Sequence, residues 1–299
     1  KGGPSERAGL LAGDRIVTIN KEKYVGDSIT NAGAMKRLKG PKNTQAILGI
    51  KRSGKQQLLT FNIQRGDVPV KTVGAVYMAA PKIGYVSINS FGDTTYAEFL
   101  AALATLQGEG FQNLIIDLRG NPGGYMETAI QIANDFLPKN SLIVYTKGRK
   151  SPRKEYRTDG RGTYQTMPIV VLVDETSASA SEIFAGAMQD NDRGMIVGRR
   201  SFGKGLVQVP IEFPDGSMLR LTTARYYTPS GRCVQKPYTP GDEEDYAADL
   251  LSRAEHGEYF SADSIKTTGE KYKTRLGRIV YGGGGIVPDV FIPRDTTGI

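Results

Sequence analysis

The sequence predicts an α/β protein in which a small β-rich unit precedes a larger core of alternating strands and helices. Its longest apolar runs, such as Met167 to Val173, are of strand length. From about residue 82 onward, strand-like and helix-like patterns alternate and are separated by turn residues. The 299 residues are enough for two domains of ordinary size, and 39% hydrophobic beside 23% charged residues is a globular composition. No stretch approaches the ~20 consecutive apolar residues that a bilayer-spanning helix needs.

In the first unit, Gly3 to about Arg65, the opening residues read as a short helix, a Gly13-Asp14 turn and a strand ending at Asn20. A helical segment from Ile29 to Leu38 follows, then the Gly40-Pro41 breaker and two strands, Ala46 to Lys51 and Leu58 to Ile63, joined at Ser53-Gly54. This order is similar to the second half of a PDZ domain, which we place at residues 1–68. The chain opens in mid-motif at Lys1-Gly2-Gly3-Pro4. The carboxylate-binding loop and the peptide-pairing strand of such a domain are therefore expected upstream. Residues 69–82 read as a linker and a strand leading into the core, which fills 83–299.

In that core, Gly84 to Ile88, Asn113 to Leu118, Leu142 to Tyr145, Ile169 to Val173 and Met195 to Val197 read as strands. Thr95 to Gln107, Met126 to Phe136 and Ala180 to Gln189 read as helices. Val207 to Phe213 and Met218 to Thr223 form a hairpin around Pro214-Asp215-Gly216. Asp242 to about Lys273 reads as a surface helix and loop insertion, closed by strands at Arg278 to Tyr281 and Val290 to Ile292.

The composition excludes several chemistries. One cysteine, Cys233, allows neither an internal disulfide nor a multi-thiolate zinc site, and one histidine excludes a His-rich metal centre. That histidine, His256, lies in the polar run Arg253 to Glu258, which reads as an exposed helix end, so a hydrolase here must take its base elsewhere. The formal charge of +8 and the basic segment Lys147 to Arg161 match no nucleic-acid-binding motif, and the interleaved Ser, Pro, Asp and Glu read as a solvated loop. No cofactor is expected.

Three segments can carry chemistry. The strand ending at Val173 runs through Asp174-Glu175-Thr176-Ser177-Ala178-Ser179-Ala180-Ser181-Glu182 into an apolar helix. A serine there faces the open N–H groups and positive dipole end of the first turn, a good place for an oxyanion. Ser179-x-x-Glu182 is also the spacing of a capping box, and on this segment alone the cap is the simpler reading. The second segment is Ser201-Phe202-Gly203-Lys204-Gly205, whose glycines allow close packing around an inward-directed lysine, although Gly-Lys-Gly is equally a surface turn. A lysine base must be neutral, which from a reference pKa of ~10.4 asks for a drop of about 3 units, worth about 4 kcal/mol. The third is Asp117-Leu118-Arg119-Gly120-Asn121-Pro122-Gly123-Gly124, a strand end and glycine-rich loop able to turn N–H groups toward a carbonyl oxygen. It lacks the spacing of a dinucleotide or P-loop phosphate cradle.

Together, in this order and behind the partial PDZ domain, the three segments resemble the C-terminal processing (tail-specific) peptidases over nearly the whole chain. The resemblance implies a crotonase-like core of β-β-α units. It implies Ser179 as nucleophile, Lys204 twenty-five positions later as general base, Gln208 four further on as the orienting third member, and Gly124 and Ala180 as oxyanion-hole donors. It further implies protein substrates with free C-termini, work outside the cytoplasm, and room for a homodimer or an upstream membrane-surface attachment. Two rivals share the scaffold: a peptide-binding module that does not cut, and an acyl-CoA-binding protein of crotonase-like architecture. Ser, Lys and Gln at these spacings favour the peptidase.

Overall fold

The computed structural model describes residues 2–26, 29–68, 70–239, 241, 243–267 and 269–296. Pro69 of the expected linker and Asp242 at the expected start of the insertion lie outside the described residues. The chain divides into two compact units, Lys1–Val70 and Lys71–Ile299.

The first unit holds α1 (Pro4–Arg7), β1 (Arg15–Ile19), β2 (Glu22–Lys23), α2 (Asn31–Leu38), β3 (Gln45–Lys51) and β4 (Leu59–Gln64). Its strands pair antiparallel in the order β2-β1-β3-β4 over a small core of Ile19, Leu48, Ile50 and Ile63. Pro4 opens α1, where a missing N–H costs no helical bond. The Thr30 hydroxyl accepts from the Gly33 N–H at 3.1 Å and caps α2. At the Gly13-Asp14 turn, Asp14 pairs with Arg52 at 2.6 Å, and that hydrogen-bonded guanidinium holds the carboxyl down at about 2. Only β2 escaped the sequence pattern, because two residues cannot show an alternation.

The second unit begins with β5 (Val73–Ala80), within the stretch read as linker and leading strand, and β6 (Ile83–Ile88). It continues with α3 (Thr95–Gly108), β7 (Asn113–Asp117), α4 (Met126–Asn134), β8 (Leu142–Lys147), β9 (Lys154–Arg157), β10 (Ile169–Val173), α5 (Ala180–Asp190) and β11 (Met195–Gly198). The hairpin β12 (Leu206–Glu212) and β13 (Met218–Tyr227) follows, then α6 (Glu243–Glu255), β14 (Lys271–Lys273), β15 (Ile279–Tyr281) and β16 (Val290–Phe291). The α/β class expected from the sequence is the class observed.

Six strands form the main sheet in the order β16-β11-β10-β7-β6-β5, parallel except for the edge strand β5. Its inner strands read as nearly continuous apolar runs because a parallel sheet is covered on both faces, and Ile116 and Val171 are fully buried. Every residue of α5 is buried, so this helix runs through the core. A second, antiparallel sheet has the order β12-β13-β8-β9, which leaves β12 at its edge.

Two expectations are corrected. The basic segment is no simple loop: residues 154–157 form β9, where Tyr156 packs on the core while Lys154, Glu155 and Arg157 stay exposed. One aromatic among charges was enough to give the strand an inner face. Within the insertion, Arg253 and Glu258 are buried instead of exposed, because Arg253 donates to the Ser201 and Phe202 carbonyls and Glu258 pairs with Arg200 at 2.5 Å. His256 is exposed, as expected, with Nδ1 2.6 Å from the Ser252 carbonyl.

The end of α5 is tied down by Asp190, which meets Arg232 at 2.7 Å with both side chains wholly buried. The guanidinium also donates to Gln189 Oε1 and the Tyr281 carbonyl. Asp190→Ala leaves that cation buried without its counter-charge, and a loss of about 3–5 kcal/mol in unfolding free energy is expected by denaturant titration. A loss below about 1 kcal/mol would show that water reaches the site.

Candidate active site

The candidate site lies beyond the C-terminal ends of β7 and β10, adjacent central strands, where open α/β sheets bind their ligands. Two loops leave these strands and are stitched together. Asp174 Oδ1 accepts from the N–H groups of Gly120, Thr176 and Ser177, and the Ser177 hydroxyl donates to the Leu118 carbonyl at 2.8 Å. Asn121, fully buried, donates to the Ile88 carbonyl through Nδ2 and accepts the Gly123 N–H on Oδ1 at 2.8 Å. Its carbonyl accepts the Ala178 N–H and the Ser181 hydroxyl.

These bonds separate three serines that sequence alone leaves equivalent in type. Ser177 and Ser181 are fully buried and their hydroxyls are spent on main-chain carbonyls. Ser179 is half-buried, at the N-cap of α5, with φ 57° and ψ −113°. That left-handed conformation is uncommon for a residue with a side chain and is a mark of functional sites. The Glu182 N–H meets the Ser179 carbonyl at 2.9 Å and the Glu182 carboxylate takes the Ser179 N–H at 2.9 Å, a reciprocal pairing of the capping-box kind.

The glycine loop is packed against the serine. A Cβ on Gly123, at φ 97°, would sit 2.7 Å from Ser179 Cβ, and one on Gly124, at φ 143°, would sit 2.0 Å from the Phe91 carbonyl oxygen. Both positions therefore require glycine. The Gly123 N–H is engaged by Asn121 Oδ1 at 2.8 Å, and a Cβ on Gly123 would also sit 2.9 Å from the Ala180 nitrogen, so the loop lies directly against the first turn of α5.

Lys204 lies between the buried Gly203 and Gly205, just before β12, and is half-buried. Its backbone and that of Ser179 meet on one side chain. Glu182 Oε2 accepts the N–H of Ser179 at 2.9 Å and of Lys204 at 2.8 Å, while Oε1 accepts the Gly203 N–H at 2.7 Å and the Ser201 hydroxyl at 2.5 Å. Burial pushes the Glu182 carboxyl up, and the four donors around it oppose that push. The Tyr226 hydroxyl, on β13, faces the carbonyls of both Lys204 and Ser179, the latter at 3.1 Å, and shares its one proton between them. Burial, with the Glu182 charge nearby, pushes this phenol well above its usual value, so it remains a donor.

The lysine loop is also held from behind. Arg253 Nη1 donates to the Ser201 carbonyl at 2.8 Å, and the Lys236 N–H donates to the Gly203 carbonyl at 2.9 Å. The Lys236 ammonium is buried between Phe202 and Tyr246 and bonded to Asp249 at 3.0 Å. Burial pushes it below the usual lysine value, while two of its protons are held by Asp249 and the Tyr246 carbonyl. Gln208 stands on β12, solvent-exposed, and takes no part in the bonds that join Ser179 to Lys204. Cys233 is a free, partly buried thiol.

Sequence reasoning saw Glu182 only as a capping partner and missed Tyr226, Asn121 and Ser201. For Glu182 a signal existed, an acid inside a helix otherwise apolar enough to be buried. For Tyr226 there was none, since its partners lie 22 and 47 positions away.

Comparison with known proteins gives the family. The pattern of peptidase family S41 matches residues 82–246, and that of a PDZ domain matches 1–52. The carboxy-terminal processing protease CtpB of Bacillus subtilis is 34% identical over 238 residues, 79% of this chain and 49% of that protein. A carboxyl-terminal-processing protease of Synechocystis is 37% identical over 238 residues, 79% of this chain and 55% of that one. The chain thus spans about half the length of these relatives. Among solved structures, the photosystem II D1 C-terminal processing protease superposes with a TM-score of 0.53 at 28% identity, over 98% of this chain and 66% of that one. The chain belongs to peptidase family S41, alongside carboxy-terminal processing proteases, and carries a PDZ domain at its N-terminal end.

Proposed function

We propose that the protein hydrolyses peptide bonds in the C-terminal tails of other proteins through an acyl-enzyme on Ser179, with Lys204 as general base. The observation that carries this reading is the convergence of the Ser179 and Lys204 main chains on a single oxygen of Glu182, at 2.9 and 2.8 Å. A cap and a surface turn, the two simpler readings of these segments, have no reason to share one buried carboxylate.

In the proposed reaction neutral Lys204 takes the Ser179 proton as the serine oxygen attacks the peptide carbonyl. The Gly124 and Ala180 amides receive the oxyanion, and the Lys204 ammonium returns the proton to the leaving amine. Lysine then deprotonates water, which attacks the ester; the acyl group leaves as a carboxylic acid and Ser179 regains its proton. Lys204 is half-buried, and a bound substrate would exclude the remaining water from it. Gln208 is assigned to orient the Lys204 side chain, and the PDZ domain to hold the substrate tail. Work outside the cytoplasm is proposed on the family resemblance.

The experiment gives the full-length protein one peptide with a free C-terminus and the same peptide amidated, and reads the products by mass spectrometry. Cleavage with preference for the free carboxylate is expected. Binding without any cleavage would favour the non-cutting scaffold instead. The acidic limb of the pH–rate profile should belong to the Ser179–Lys204 pair, so His256→Ala, which alters an exposed side chain, is expected to move it by less than about a unit. Loss of the limb in His256→Ala would overturn the base assignment.

A further inference from the structure

We propose that Glu182 and Tyr226 are positioning residues for the reaction: a two-point clasp that sets the separation of nucleophile and base by holding their main chains. The proposal rests on the Ser179/Lys204 reading given above. Glu182 gathers the donors, taking the N–H groups of Ser179 and Lys204 on one oxygen and those of Gly203 and the Ser201 hydroxyl on the other. Tyr226 gathers the acceptors, its hydroxyl lying against the carbonyls of the same two residues. Ser179 and Lys204 are thus each tied through both main-chain polar groups, the N–H and the carbonyl, from elements that belong to different parts of the chain.

Each member of the clasp is itself fixed. Glu182 is in the first turn of the wholly buried α5, with no exposed surface, so its carboxylate cannot swing to solvent. Tyr226 is 2% exposed on β13, the neighbour of the strand that follows Lys204. Ser201, which orients Glu182 Oε1 at 2.5 Å, is in turn fixed by the Ile286 N–H at 2.7 Å. A helix needs one carboxylate oxygen at most for its cap. The second oxygen, and a tyrosine hydroxyl reaching two carbonyls, have no role in capping. They fit a requirement of catalysis, that the reacting groups be held within about 0.5 Å of a productive geometry.

Glu182 and Tyr226 are buried, at 0% and 2% exposure, so their effect should fall on the chemical step and not on substrate binding. In the full-length enzyme, Tyr226→Phe keeps the ring and removes only the hydroxyl; kcat should fall about tenfold with KM unchanged. Glu182→Gln puts an amide N–H₂ where two N–H donors converge, and kcat should fall about 10²-fold, the cost of a 1 Å misplacement, again with KM unchanged. Melting temperatures measured alongside show whether each variant is folded at the assay temperature, and if Glu182→Gln is not, Tyr226→Phe decides alone. Ser179→Ala and Lys204→Ala separate the two levels of the argument. If either keeps its activity, the underlying Ser/Lys reading fails and the clasp with it. If both are inactive while folded Tyr226→Phe keeps full kcat, or loses activity only through KM, the clasp is wrong and the Ser/Lys reading stands.

Discussion

Ser179→Ala is expected to lower kcat/KM by about 10⁴-fold or more while leaving the protein folded, since a nucleophile has no substitute in an acyl-enzyme mechanism. The fold should persist because what anchors this segment is main chain. The Ser179 N–H and carbonyl carry the bonds to Glu182, Ile183 and Tyr226, and none of them uses the hydroxyl. Ser179→Gly sharpens the test. At φ 57° a side chain is strained by about 1–3 kcal/mol. Glycine relieves that strain and loses about 0.5–1 kcal/mol through the entropy of the unfolded chain. Ser179→Gly should therefore be inactive and more stable, by about 1 kcal/mol or a rise of roughly 2–4 °C in melting temperature. An inactive variant that is also less stable would mean that the conformation is imposed by something other than function.

Lys204→Arg is expected to be as inactive as Lys204→Ala, down about 10⁴-fold in kcat with KM nearly unchanged. Guanidinium cannot give up its proton near neutral pH, so it cannot act as a base, although it keeps the charge and the length. The main-chain bonds of residue 204 to Glu182 and Tyr226 survive the change, which leaves the loop in place. Steady-state kinetics on one peptide substrate decide the matter. Turnover within about tenfold of the parent would show that position 204 supplies charge and not a proton acceptor. Lys236, the other buried lysine nearby, is expected to be no replacement, because its ammonium is held by Asp249 and the Tyr246 carbonyl.

The parts of the molecule that sequence made legible are those set by short-range periodicity. β7 and β10 announced themselves as apolar runs, α5 as a helix starting at Ala180, and the β12–β13 hairpin through Pro214-Asp215-Gly216. What remained hidden was set by contacts between distant segments. Lys154 to Arg157 is as charged as a loop and becomes a strand because β8 is beside it and Tyr156 has a core to pack on. Arg253 reads as solvated until the Ser201 and Phe202 carbonyls, some 50 positions earlier, prove to be its partners. The same limit applies at the site. Motif order marked Ser179, Lys204 and the Gly123-Gly124 loop, but the carboxylate joining them was readable only as a cap, and the tyrosine was not readable at all. Gln208, marked by its spacing from Lys204, stands exposed on the edge strand β12.

The most direct test of the central claim is to label the full-length protein with a fluorophosphonate, which bonds to activated serine hydroxyls, and to locate the adduct by peptide mass spectrometry. The account predicts a single adduct on Ser179, none in Ser179→Ala, and labelling slowed by orders of magnitude in Lys204→Arg. An adduct on a different residue, or labelling of Ser179 at an undiminished rate in Lys204→Arg, would contradict it.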